Sequence, residues 1–324
     1  MDSFDNYAFS DLPKKWDYIG SSGGVSTTNL DSSIKRTGSK SLKISHGDNQ
    51  LKKSDLPSLQ IITLGFACRY NTENIWSINF CGDDTLNIKV EIVNHNICIY
   101  RGTTLLGTSS YAIFLNTWTH IQIKIVLDPT NGSVQIKKDG EDFYSLTGIN
   151  TQVVNYINTI LFRNPAGYNI SKNIWIDDLY VADDFQGACV VETIFPIANG
   201  DSNQWIPSIG DNYACVDESA LNTEDYIKSN TVNDLDNFEF SNLINNGTVK
   251  ALQVNILAIK DDYGNRKIAP IIKHSNTNII GTPIDLEGSY NKIFSEVFEI
   301  NPDNSQPWSV SDINSIKIGV KVDS

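Results

Sequence analysis

The chain has 324 residues, 40% of them hydrophobic and 10% aromatic, which is enough for two domains with cores of their own and too apolar for a disordered polymer. Lysine and arginine number 25 against 38 aspartates and glutamates, a net charge of −13. That balance excludes a protein that wraps nucleic acid, because no basic surplus exists to release counterions, and it suits a protein kept soluble by self-repulsion.

Met1-Asp-Ser-Phe-Asp-Asn-Tyr7 has neither a basic n-region nor an apolar h-region, so no export signal is expected. No apolar run approaches the ~20 residues that span a bilayer, and no membrane insertion is expected. Gly20-Ser-Ser-Gly-Gly24 lacks a following Lys-Ser/Thr and a helix, and reads as a loop. From Ser41 onwards the periodic segments have period two. Ser41–Ile44, Ile75–Phe80, Leu86–Val93 and Asn96–Tyr100 are short predicted strands with turn residues between them. The most informative stretch is Leu115–Gly140. Ile121, Ile123 and Ile125 alternate with Gln122 and Lys124, so one face is buried and the other wetted. Asp128-Pro-Thr-Asn-Gly132 turns the chain, Val134 and Ile136 return against the first strand, and Asp139-Gly140 supplies the next turn. Asn173–Asp183 reads as the closing strand of a first domain, with the boundary near Asp183–Gly187. Beyond it, Thr248–Ile259 and Ser315–Val322 alternate again, the latter almost to the end of the sequence. The fold class is therefore all-β, as two β-sandwich (jelly-roll-like) domains over residues 1–187 and 188–324, the second smaller.

Residues with chemical potential are few. Cys68, Cys81, Cys98, Cys189 and Cys215 are odd in number and widely spaced, and are expected to be reduced. His46, His95, His120 and His274 stand far apart, with no zinc spacing. The paired carboxylates of sandwich-type glucanases, Glu-x-Asp-x-x-Glu, are missing: Glu296 and Glu299 lack the central aspartate. Asp177, Asp178, Asp183 and Asp184 form the densest acidic cluster, from which Asp177, Asp178 and Asp183 are the candidates for a Ca²⁺ site, against the simpler reading of strand-end and solvated aspartates. Trp76, Trp118 and Trp175 lie in or beside apolar strands and are expected in the core. Trp205 and Trp308 each follow a polar loop and are the candidates for interface or loop-anchoring aromatics.

A tryptophan, a period-two strand, a turn and a strand ending in Asp-Gly resemble the concanavalin A/laminin-G sandwich family. Over nearly the whole chain the ordered motifs resemble a tailed-bacteriophage structural protein with such a domain first. They run from Phe4-Asp-Asn-Tyr and Lys15-Trp16 through Arg36–Leu42, Tyr100–Gly107 and Leu115–Trp118 to Ile176–Asp183. They continue with Thr193–Asp201, Trp205-Ile-Pro-Ser, Val216–Glu218, Asp225–Ser229 and Asp312–Val322; Gly187-Ala-Cys departs from the usual Gly-Asp at the boundary. The resemblance implies a virion component made in a bacterial cytoplasm: tail, baseplate, fibre or capsid decoration. It carries no catalytic or cofactor residue, so the expectation is a non-enzymatic protein, a homo-oligomer such as a trimer, in contact with other virion proteins. The 188–324 half would dock on the particle. Loops around Gly20–Asn29 and Thr103–Tyr111 of the first half would meet a host surface or its glycans. The alternative is a lectin or depolymerase acting on host surface glycans.

Overall fold

The computed structural model describes every residue except 22–27, 46–48, 73–75, 112, 165–171, 276 and 291; most of the Gly20–Gly24 loop lies outside the described residues. The chain is all-β, and helix among the described residues is confined to Phe9–Lys14, Tyr213–Cys215 and Val310–Ile313. No helix is long and apolar enough to cross a membrane. Two compact units are present: Met1–Asp5 with Trp16–Glu192, and Asn6–Lys15 with Thr193–Ser324. Residues 188–192, which the sequence reading placed in the second half, stay with the first. There the Val191 N–H donates to Asp178 Oδ1 at 2.8 Å and the Arg36 guanidinium to the Cys189 carbonyl at 3.0 Å.

Among its described residues the first unit holds fourteen strands in chain order: β1 (Tyr18–Ser21), β2 (Asn29–Asp31), β3 (Ser41–Ser45), β4 (Asn49–Lys53), β5 (Ile61–Tyr70), β6 (Trp76–Gly82) and β7 (Thr85–Val93). The series goes on with β8 (Asn96–Arg101), β9 (Thr104–Tyr111), β10 (Thr119–Val126), β11 (Gly132–Lys138), β12 (Glu141–Ile149), β13 (Thr159–Asn164) and β14 (Asn173–Ala182). They form two seven-stranded sheets, β1-β4-β13-β6-β7-β8-β9 and β12-β11-β10-β5-β14-β3-β2. The expected Thr103–Tyr111 loop is thus corrected to an edge strand, because Thr104 to Thr108 pair with Arg101 to Cys98. Phe66 of the second sheet meets Trp76 and Phe162 of the first edge-on, at centroid distances of 6.4 and 5.5 Å, and all three are buried. This aromatic contact bridges the sheets where apolar area leaves water.

The Leu115–Gly140 hairpin forms as its alternation dictates. Ile123 pairs with Ile136 and Ile125 with Val134, all buried. Asp128 Oδ1 accepts the N–H groups of Thr130 and Asn131 at 2.7 and 2.6 Å, fixing the turn, and Asp139 and Gly140 take φ of 52° and 92° in the next. Gln122 is the exception to the expected wet face. It is fully buried, because its Oε1 accepts the N–H groups of Gln186 and Gly187 at 2.9 and 3.0 Å, and residues 183–192 strap across the outer face of the second sheet. Trp76 and Trp175 are in the interior, but Trp118 is only half-buried, at the entry to β10.

Under that strap Gly65 is required. A Cβ there would stand 2.0 Å from Cζ of the Tyr180 ring, which packs flat over the position while its hydroxyl donates to the Gly187 carbonyl at 3.0 Å. Gly65→Ala is expected to destabilise the first unit by about 1–3 kcal/mol through this overpacking. A urea titration reads it, and an unchanged midpoint would show that the ring moves aside freely.

In the second unit β15 (Pro196–Asn203), β16 (Ile206–Pro207), β17 (Ile227–Lys228), β18 (Leu235–Phe240), β19 (Leu252–Ile256) and β20 (Lys267–His274) come first. Then come β21 (Thr277–Ile280), β22 (Ile284–Asp285), β23 (Phe294–Phe298), β24 (Ile300–Asn301), β25 (Gln306–Pro307), the short helix α1 (Val310–Ile313) and β26 (Lys317–Val322). The main sheet runs β15-β18-β26-β20-β21, with β22 also on β20, and β19 pairs with β23. Leu252 and Val254 of β19 share a core with Ile272, Ile318 and the α1 region. Ser309 caps α1: its hydroxyl accepts the Asp312 N–H at 3.0 Å, and the Asp312 carboxylate accepts the Ser309 N–H at 2.9 Å.

Candidate functional site

The acidic residues singled out in the sequence do not converge on a cation. Asp177 and Asp178 are fully buried, Asp183 is exposed, and no group of His, Cys, Asp or Glu among the described residues is arranged to hold a metal ion. The carboxylate oxygens of Asp177 and Asp178 have donors from the protein itself. Asp177 Oδ2 accepts the N–H groups of Arg36 and Thr37 at 2.8 and 3.3 Å. Asp178 takes the Arg36 guanidinium at 2.6 Å and the Thr37 hydroxyl at 2.7 Å. Nearby, Asp5 Oδ1 accepts from the Ser39 and Lys40 N–H groups at 2.6 and 2.8 Å, and Asp2 pairs with Leu179 through both backbone groups. Phe4 stacks on Trp16, whose indole donates to Asp2 at 3.0 Å. Three of the motif segments, Phe4-Asp5, Arg36–Lys40 and Ile176–Tyr180, are therefore parts of one buried clasp that holds the amino terminus to the second sheet.

Of the two roles open to Trp308, interface or loop anchor, its surroundings match the second. It is 3% exposed, belongs to the second unit's core, and its indole donates to the Phe298 carbonyl at 2.9 Å, so it anchors its loop from inside. Trp205 is half-buried. Its N–H donates to Asp236 Oδ1 at 2.8 Å and its indole to the Asp234 carbonyl at 3.3 Å, which again ties a loop to a strand.

A buried polar group lies beneath the strap. His120 is 1% exposed, stacks on Tyr180 at 5.9 Å, and neither ring nitrogen has a hydrogen-bond partner. Burial, aided by the Arg36 charge, pushes its pKa down to about 4. Burial and the adjacent Asp178 push Asp177 up to about 7 against the pull of three backbone amides. With residues 183–192 laid over it, this group is structural.

The first sheet's outer face is different. Its strand register sets two rows of side chains across six strands, a span of about 24 Å at the usual strand spacing. One row reads Lys52, Leu161, Asn79, Lys89, Tyr100, Leu105; its neighbour reads Gln50, Arg163, Ser77, Glu91, Cys98, Thr108. From β4 to β8 every one of these residues is buried or half-buried, where the outer face of a solvated sheet would be exposed. The Lys89 ammonium lies 2.9 Å from Glu91 Oε1 and 4.0 Å above the Tyr100 ring, so both long side chains are held in place. Asn79 Oδ1 is buried without a hydrogen-bond partner, an acceptor that costs free energy until something donates to it. Burial, with Glu91 and Cys98 alongside, raises the Tyr100 pKa. The sequence reading named Cys98 only as a reduced cysteine, held Tyr100, Leu105 and Thr108 only within longer stretches, and singled out none of the others. Each strand alone shows ordinary polar alternation, and only the sheet register from β4 across to β9 assembles the rows.

No family model and no curated protein matches the sequence. Similar solved structures include an endo-beta-1,4-glucuronan lyase from the fungus Trichoderma reesei, 14% identical, TM-score 0.44, over 57% of this chain and 96% of that one. Another is the catalytic domain of a glycoside hydrolase family 131 protein from Coprinopsis cinerea, 14% identical, TM-score 0.41, over 59% and 96%. A third is the carbohydrate-binding module CBM66 from Bacillus subtilis, 10% identical, TM-score 0.33, over 43% and 85%. The expectation of a non-enzymatic protein is corrected here. Chains similar to this one include a lyase and a hydrolase domain, and the missing Glu-x-Asp-x-x-Glu spacing bears on one glycosidase chemistry alone.

Proposed function

We propose that the first unit binds polysaccharide across the outer face of its first sheet, as a lectin or as a depolymerase of surface glycans. The observation that carries this reading is the pair of cross-sheet rows. A sugar chain presents hydroxyls at its rim and C–H groups on its faces. The rows offer Gln50, Ser77 and Asn79 beside the flat or apolar Leu161, Tyr100 and Leu105. Binding sites of this kind combine apolar contact with a few fixed polar groups.

An array of bacterial surface polysaccharides tests it. Wild-type protein should bind at least one polymer, and Asn79→Ala and Tyr100→Ala should each weaken that binding about tenfold, the loss expected for one buried hydrogen bond or aromatic contact. Unfolding midpoints should barely move. Assaying the same mixtures for new reducing or unsaturated chain ends separates a lectin from a depolymerase. If nothing on the array is bound or cleaved, the reading fails.

The ordered motif series favours a second reading, of setting: a tailed-phage particle carrying this chain as a homo-oligomer. Peptides of the chain should then appear in mass spectra of purified particles, and their absence ends that reading.

A further inference from the structure

We infer that Asn246 is a self-modification site, where the folded chain loses an amide without an enzyme and gains a carboxylate through a cyclic imide. Three asparagines precede a glycine, Asn131, Asn199 and Asn246, and a following glycine leaves the backbone nitrogen unshielded by a Cβ. In the step proposed, the Gly247 nitrogen adds to Cγ of Asn246, the Cγ–Nδ2 bond breaks, and the Gly247 N–H proton leaves with that nitrogen as ammonia. Water then opens the imide at either carbonyl, giving aspartate or its β-linked isomer.

The fold separates the three. Asn131 sits in the turn fixed by Asp128, which takes its N–H at 2.6 Å, while its own amide donates to the Thr130 hydroxyl at 3.2 Å. Gly132 after it is buried and paired with Ile149. Asn199 lies in β15, paired with Phe238, and its carboxamide oxygen accepts the Tyr213 N–H at 2.8 Å. Gly200 packs so closely on Asn237 that a Cβ would stand 1.9 Å from its Oδ1. Ring closure at either site has to turn the backbone against these contacts. Asn246 has no such restraint. It lies with Gly247 in the exposed stretch between β18 and β19, outside any strand, and neither residue has a hydrogen bond to another described residue. Nothing stands within 4 Å of a Cβ placed on Gly247. A surface segment held so lightly reaches the turned backbone at little cost. The product adds one negative charge to the net −13 and leaves every sheet pairing in place.

The purified chain, held in mildly alkaline buffer that promotes loss of the attacking N–H proton, is sampled by isoelectric focusing and by peptide mapping in a mass spectrometer. A band more acidic by one charge should grow, carried by the peptide containing Asn246, whose NH2 has become OH and whose two isomers separate on a column. In the folded chain Asn246 should convert at least about tenfold faster than Asn131 or Asn199, about 1.4 kcal/mol in barrier, whereas in guanidinium chloride the three rates should converge. Asn246→Gln should remove the band, Gly247→Ala should slow it, and Asn246→Asp should run at its position from the start. All three variants should melt with the wild type. The inference is overturned if the band persists in Asn246→Gln, or if Asn131 or Asn199 converts as fast as Asn246 in the folded chain. It is equally overturned if Asn246 stays intact in the folded chain over a time in which all three convert in denaturant.

Discussion

Trp308→Ala is expected to remove about 3–5 kcal/mol from the second unit, the range for emptying a buried aromatic site. Its ring fills the space between Ile272 and Ile318 of the main sheet and Ile313 and Ile316 around α1, and its indole satisfies the Phe298 carbonyl. Alanine leaves both a cavity and an acceptor without its donor. Since domains carry only about 5–15 kcal/mol in all, the variant stands near the threshold of unfolding. Hydrogen exchange gives the clearest readout. Amides of Lys267–His274 and Lys317–Val322 should lose most of their protection while those of Thr119–Val126 keep theirs. Retained protection in both segments would show that Trp308 is dispensable to that core.

His120→Phe should flatten the acid side of the stability profile by about 3 kcal/mol. In the folded chain His120 titrates near 4, whereas an unfolded histidine titrates near its ordinary value of 6.5. Between these values the unfolded state holds the extra proton, so stability falls as pH drops from about 6.5 to about 4 and is level below that. A shift of that size corresponds to about 3 kcal/mol. Asp177 has the opposite sign, its folded pKa being raised, so it contributes stability at low pH that is lost as pH rises towards about 7. In the wild type the two slopes oppose each other, and only the comparison with the variant isolates the histidine. Phenylalanine preserves the stack on Tyr180 and has no nitrogen to bury. Urea unfolding of both proteins at pH 7 and pH 4 decides it. Equal pH differences in the two would show that His120 protonates without cost.

The all-β class and the Leu115–Gly140 hairpin were legible because they depend on local terms: alternation along a strand, and an aspartate that caps its own turn. The failures share a cause. Gln122 looks wetted because nothing within its strand announces the 183–192 strap. Trp308 reads equally as an interface residue or a loop anchor because the Asn301–Pro307 loop before it is polar, although Ser309 and Asp312 spell a helix cap with Ile313 and Ile316 just beyond. Asp177 and Asp178 read either as cation ligands or as strand-end aspartates because acidic density is visible in sequence, whereas the Arg36 and Thr37 donors lie some 140 residues away along the chain. The cross-sheet rows were hidden for the same reason, since Lys52, Asn79, Tyr100 and Arg163 meet only through register.

The amino-terminal segment has a consequence for how the chain is made. Residues Met1–Asp5 belong to the first unit, Asn6–Lys15 to the second, and the chain returns to the first at Trp16. The Lys14 carbonyl accepts the Ile293 N–H at 2.8 Å, so Lys14 finds this partner only after the whole intervening chain has been made. The described strands of the first unit are complete by Ala182 and can form during translation, while the second unit waits for both Asn6–Lys15 and Thr193–Ser324. A gene cut at the boundary inherits the same problem. The fragment 193–324 lacks its own Asn6–Lys15, and a soluble version will need that segment grafted back, whereas 1–192 carries ten residues that belong elsewhere.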